Sequence, residues 1–273
     1  MTDQDCVAFL QWSLPRLGMR WQGFRKVRGR VCKRIDRRVR ELGLADAAGY
    51  RAFLQENAHE WNVLDSLCRV TISRFYRDRE VFLFLEREVL VRLAESARER
   101  GEKELRCWSI GCASGEEPYT LAILWKREVG RLFPELTIRI LATDVDGNMI
   151  ERAEKGCYSS GSLAGLPPEW KANAFDLRGG SYCIKAEERE KVSFLAQDIR
   201  RDAPEGLFHL VLLRNLAFTY FDTPLQQDVL FRVKGKLIPG GALVIGVHES
   251  LPAGACGLTA WPGIRSVFRI PRG

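Results

Sequence analysis

At 273 residues with 46% hydrophobic composition, the chain can hold one α/β domain and a small appendage around an ample core. No apolar run approaches the roughly 20 residues that cross a bilayer, which argues against membrane insertion. The formal net charge of +7 favours acidic partners.

The opening MTDQDC carries acids where a secretory leader carries bases, so no signal peptide is expected. Residues 1–85 read as a helical N-terminal domain: an opening helix, Phe24–Leu44, Asp46–Glu56 with Asp46 as its cap, and Glu60–Cys68. The helix over residues 25–40 holds nine cations in sixteen residues against Asp36 alone. Val27, Val31, Ile35 and Val39 recur every four residues, giving one buried stripe and a wide cationic face. That face can be solvated surface, a nucleic-acid footprint or a dock for an acidic protein, and protein docking is the favoured reading.

From residue 86 to 273, apolar strands alternate with amphipathic helices, which predicts a Rossmann-like, doubly wound α/β sheet. Strands are expected near 105–110, 137–143, 192–196, 208–213 and 242–247, with a closing hairpin near 257–270. Residues 163–191, with Pro167–Pro168 and Gly179–Gly180, break the alternation and read as a small β-type insert.

The segment LRCWSIGCASGEEPYT, 105–120, carries the chemistry. Strand, glycine turn (Gly111, Gly115) and helix form the layout of a nucleotide-type pocket. A pyrophosphate there wants bare N–H groups, so Glu116 and Glu117 argue against NAD or ATP. They suit S-adenosylmethionine, which lacks phosphate and carries a sulfonium and an ammonium. An ordinary strand-to-helix connection with exposed acids is the alternative. Asp144 and Asp146 end the next strand, 33 and 35 residues after Gly111. Asp144 suits a ribose diol and Asp146 a helix cap.

The eight cysteines include no CxxC pair, and Cys32, Cys68, Cys107 and Cys183 sit singly among apolar residues. They read as buried free thiols in a reducing compartment, hence a cytoplasmic protein. His59, His209 and His248 are scattered, so no metal site is expected.

GCASGEEPYTLA followed by ILATDVDGNMIERAEKGCY resembles the chemotaxis receptor methyltransferase (CheR) family. TISRFYRD, VSFLAQD and LRNLAFTYFD are similar to further motifs of that family in the same order. The resemblance spans roughly residues 15–270. It implies S-adenosylmethionine-dependent O-methylation of protein glutamates, with chemoreceptors as substrates met through the basic helix. A related acceptor, small molecule or other protein, stays open, and RNA is disfavoured because RNLAF lacks the proline of base N-methyltransferases. A monomer is expected.

Residue by residue, the resemblance carries cofactor contacts onto Thr71, Ser73, Arg77, Gly111, Glu117, Asp144, Asp198, Ile199, Asn215 and Leu216. Arg77 is assigned to orienting the acceptor carboxylate and Tyr220 to the acceptor side. The chain departs from the pattern at Thr71, Ser73 and Tyr76, in an extra residue between Asn215 and Tyr220, and in Val247–Ser250.

Overall fold

The computed structural model describes residues 2–272. The chain forms two compact units. One takes the residues up to Val70 together with Leu216–Gln226, and the other takes Thr71–Asn215 and the residues from Gln227 on. The helical unit therefore ends at Val70 rather than near 85. Phe75, Tyr76, Val81, Phe82 and Leu85 belong instead to the apolar core of the sheet unit.

Within the helical unit, the helices Asp3–Ser13, Arg28–Glu41, Ala47–Glu56 and Glu60–Cys68 enclose Phe9, Leu10, Phe24, Tyr50, Leu54 and Leu64. Thr2 and Asp5 close a reciprocal capping box, and Asp46 accepts from the Gly49 N–H. The expected stripe is buried at Val31, Ile35 and Val39, whereas Val27 is half-buried and precedes the helix.

Several of the cations have internal partners. Arg38 donates to both Glu60 oxygens at 2.9 and 2.8 Å, and the Tyr50 hydroxyl donates to the same carboxylate. Hydrogen bonds from Arg38 outweigh the effect of burial and hold the Glu60 carboxyl below its ordinary range. A depressed folded-state value contributes stability above the unfolded value, near 4.3, that is lost as pH falls through the folded one. Glu60→Gln should cost about 2 kcal/mol at pH 7, less than for a fully buried pair because Arg38 is 27% exposed. Thermal melts should show the parent's advantage over Glu60→Gln shrinking between pH 5 and 3.

The sheet unit is a seven-stranded Rossmann-like sheet of order β6-β2-β1-β7-β8-β10-β9. Its strands are β1 Glu104–Ile110, β2 Thr137–Asp144, β6 Val192–Ala196, β7 Phe208–Leu213, β8 Leu237–Ile245, β9 Thr259–Ala260 and β10 Val267–Arg269. The pairs β1–β2, β1–β7, β2–β6 and β7–β8 are parallel, and β10 runs antiparallel to both of its neighbours. All six residues of β7 are buried, as a central parallel strand requires. Strand order reverses between β1 and β7, which puts a switch point at their carboxyl ends.

Strand β8 starts five residues before the expected 242. Pro239-Gly240-Gly241 forms an irregularity inside the strand, where the register with β7 shifts. A separate antiparallel sheet, β3-β5-β4, joins β3 Cys157–Tyr158, β4 Phe175–Arg178 and β5 Ser181–Ile184. Gly179 and Gly180 link β4 to β5 with φ of +54° and +78°, the signature of a two-residue hairpin loop. Strand β3 lies ahead of the expected 163–191 insert.

The cysteine expectation needs correction. Disulfides join Cys6 to Cys32, and Cys157 to Cys183 across β3 and β5. Cys68, Cys107, Cys112 and Cys256 are free. Each bonded pair sits on elements that pack or hydrogen-bond together, so proximity comes from the tertiary fold and leaves no spacing signal in sequence. Each closes a separation of 26 residues, worth ~3 kcal/mol in chain entropy. These four cysteines therefore give no support to a reducing compartment. Among the described residues, no helix is long and apolar enough to cross a membrane and no metal-binding cluster occurs.

Candidate functional site

The site begins where β1 ends. The backbone runs through left-handed conformations at Gly111, Ala113 and Gly115, with φ of +71°, +47° and +90°. Both Gly111 and Cys112 donate to the Thr143 carbonyl, at 2.7 and 3.0 Å, which ties the turn to the end of β2. Gly115 is required twice over. Its φ disfavours side chains, and an added Cβ would lie 2.9 Å from the Ala153 Cβ and 3.1 Å from the Tyr158 hydroxyl.

Asp144 is built into this turn. One carboxylate oxygen accepts from the Ala113 N–H and the other from the Asp146 N–H, each at 2.9 Å. Asp146 caps the helix Gly147–Lys155 through the Asn148 N–H, as its position before Gly147 suggests.

The two glutamates after Gly115 have different tasks. Glu116 is 4% exposed and accepts from the Ser114 and Ser162 hydroxyls, holding the turn to the 159–166 loop. Glu117 accepts from the Ser109 hydroxyl on β1 and from Arg214, both at 2.8 Å. Only Glu117 is positioned among the charged groups of the switch point. Burial pushes the neighbouring Cys112 thiol well up, and Asp144 and Glu117 add to the shift, so it is no nucleophile at neutral pH.

Arg214 follows β7 and its side chain is 2% exposed. Besides Glu117 it donates to Asp78 at 2.8 Å and to the Arg77 carbonyl at 3.1 Å. Asp78 and Tyr76 are left-handed non-glycine residues with φ of +58° and +56°, and the Tyr76 N–H donates to Thr120. Arg77 itself is 36% exposed. It donates to the Ile72 carbonyl at 3.2 Å and stands 4.0 Å from Asp78. Asn215, left-handed at φ +57°, donates its N–H to Glu249, which also accepts from Gly246.

The structure thus brings Gly111, Glu117, Asp144 and Arg77 into one linked set, with Asn215 directly after Arg214. Other expected residues have different surroundings. Asp198 is engaged by Arg200 from 2.8 Å. Burial opposes its ionisation, but the Arg200 bonds prevail and hold the carboxyl below its ordinary range. Ile199 is buried and its carbonyl accepts from Arg232 at 2.7 Å. Thr71 is exposed and Ser73 half-buried.

Leu216 and Tyr220 fall in the helical unit, the first preceding and the second ending the short helix Ala217–Tyr220. There the Tyr220 ring meets Phe24 edge-on at 5.1 Å, and its carbonyl accepts from the Arg20 N–H at 2.8 Å.

Sequence reasoning missed Arg214, Asp78, Ser109 and Glu249. For Arg214 a signal existed: a charge that directly follows a wholly buried strand must be paired. Asp78 and Glu249 each gain a partner far away in sequence, Arg214 and Asn215 respectively, which nothing local marks.

The family described as CheR methyltransferase, SAM binding domain, matches residues 71–259. A chemotaxis protein methyltransferase of Listeria innocua is 35% identical over 186 residues, 68% of either chain. Chemotaxis protein methyltransferase 2 of Vibrio cholerae is 28% identical over 276 residues, covering all of this chain and 91% of that one. An uncharacterized 104.1 kDa protein of Rhodobacter capsulatus is 33% identical over 226 residues, 82% of this chain. The match covers only 23% of that much longer relative.

Proposed function

Since the chain belongs to the CheR family of S-adenosylmethionine-dependent methyltransferases, we propose that its acceptor is the glutamate side chain of an acidic, chemoreceptor-like helical protein. The observation that carries the donor side is the acidic cradle at the switch point. Glu117 and Asp144 flank a turn with no cationic residue between Gly111 and Glu117, which suits a positively charged donor and opposes a pyrophosphate. The donor supplies an electrophilic methyl group on a sulfonium sulfur.

In this reading Gly111, Glu117 and Asp144 hold the donor, with Thr71, Ser73, Arg77, Asp198, Ile199 and Asn215 as further contacts. A glutamate acceptor is already ionised at neutral pH, so the chain has no proton to remove. Its work is to aim the carboxylate and exclude water. Arg77 does the aiming, because a guanidinium offers paired donors at fixed geometry. A monomeric, cytoplasmic enzyme completes the proposal, since its donor is an intracellular metabolite.

The partner is proposed to meet the basic helix. Arg30, Lys33 and Arg37 are exposed, whereas Arg38 is committed to Glu60 and Arg34 donates to the Arg69 carbonyl. Reversing Arg30, Lys33 and Arg37 to glutamate therefore probes docking without breaking the fold. With methyl-labelled donor and an acidic receptor fragment, the parent should give label that mild alkali releases as methanol. The triple variant should lose most of that transfer while keeping donor affinity. Alkali-stable label would point to another acceptor, and salt-sensitive RNA binding lost in the triple variant would favour nucleic acid.

A further inference from the structure

Arg77, Asp78, Arg214, Glu117 and Ser109 form one chain of alternating charge. Arg77 lies 4.0 Å from Asp78, and Arg214 bridges Asp78 and Glu117 at 2.8 Å each. The Ser109 hydroxyl closes it on Glu117 at 2.8 Å. One end carries the residue assigned to the acceptor, and the other carries a residue assigned to the donor.

A buried ion network is a poor source of stability, because apolar residues of similar volume fill such space at less desolvation cost. This one is also imperfect. The Arg214 Nε is buried without a hydrogen-bond partner. Its Cζ lies 5.2 Å from the centre of the Phe82 ring, which gives some compensation. Asp78 and Tyr76 meanwhile hold left-handed conformations costly to ordinary residues. Strain and a half-satisfied cation in one place are better explained by positioning than by packing.

We propose that Arg214 is a positioning residue that sets donor and acceptor groups together: it aims the Glu117 carboxylate, and through Asp78 and the Arg77 carbonyl it fixes the segment from which Arg77 reaches out. The inference rests on the proposed roles of Glu117 and Arg77. Only a planar guanidinium serves both carboxylates and the carbonyl at once, since Nη1 takes Glu117 while Nη2 takes Asp78 and Arg77.

Removal of Arg214 takes from Glu117 the guanidinium that orients it, and from Asp78 and the Arg77 carbonyl the donor they share. Donor binding and turnover should both fall.

The test measures adenosylhomocysteine binding by calorimetry at a fixed neutral pH, alongside turnover. Arg214→Met should bind at least tenfold more weakly than the parent. Arg214→Lys should recover only part of the loss, because one ammonium cannot serve all three acceptors. Asp78→Asn alone spares Glu117, so it should lower kcat severalfold with the adenosylhomocysteine Kd unchanged.

If Arg214→Met fails to fold, that last variant still decides. Parental kcat in Asp78→Asn, or a parental Kd in folded Arg214→Met, overturns the proposal. A parent that binds no adenosylhomocysteine refutes the donor reading itself, a distinct outcome.

Discussion

Arg77→Ala should lower carboxyl methylation by about 10²–10³-fold, the loss associated with a charged group aimed at the reacting centre. The fold should survive. The side chain contributes one hydrogen bond to a carbonyl and a loose 4.0 Å ion pair at 36% exposure. The contact that matters to Arg214 comes from the Arg77 backbone carbonyl, which alanine retains. Turnover should therefore fall while the melting temperature stays near the parent's. Arg77→Lys should recover only part, because one ammonium cannot reproduce a paired geometry. The measurement is alkali-released methanol from donor-labelled substrate. Full activity in Arg77→Ala together with alkali-stable label would refute carboxyl methylation and leave the methyltransferase assignment standing.

The second large effect belongs to Asp144. Asp144→Ala should weaken the donor by about 1–3 kcal/mol, roughly 5- to 150-fold in Kd. Two losses combine here. The carboxylate proposed for the ribose disappears, and the Ala113 and Asp146 N–H groups lose the oxygens that shape the turn. Asp144→Asn separates them in part, since an amide supplies one acceptor and turns its NH₂ toward the other N–H. Calorimetry should order the affinities as parent, then Asn, then Ala. Heat from NAD and none from the methyl donor would end the donor reading.

Periodicity and turn chemistry made the frame of this protein legible. The stripe at Val31, Ile35 and Val39, the caps at Asp46 and Asp146, and the apolar runs of β1, β2, β6 and β7 are local patterns that packing respects. What escaped was non-local or double-valued. Pro239-Gly240-Gly241 serves equally as a turn or as a bulge, and only the neighbouring β7 decides between them. The disulfides depend on which elements meet. At the site, adjacent Glu116 and Glu117 look equivalent in sequence. One helical step sends the first to Ser162 and the second to Arg214. Asp198, expected at the cofactor, carries an Arg200 pairing that two-residue spacing concealed.

The helical unit is discontinuous, and that has a consequence for how the chain is made. Residues up to Val70 leave the ribosome long before Leu216–Gln226, the stretch that completes them. At synthesis rates of about 5–20 residues per second, the intervening segment occupies roughly 7–30 s. Throughout that interval Phe24 lacks its Tyr220 partner, and the Arg20 guanidinium lacks the Phe218 and Thr219 carbonyls. The nascent N-terminus is therefore an unfinished surface waiting on translation, a natural client for a chaperone at the exit tunnel.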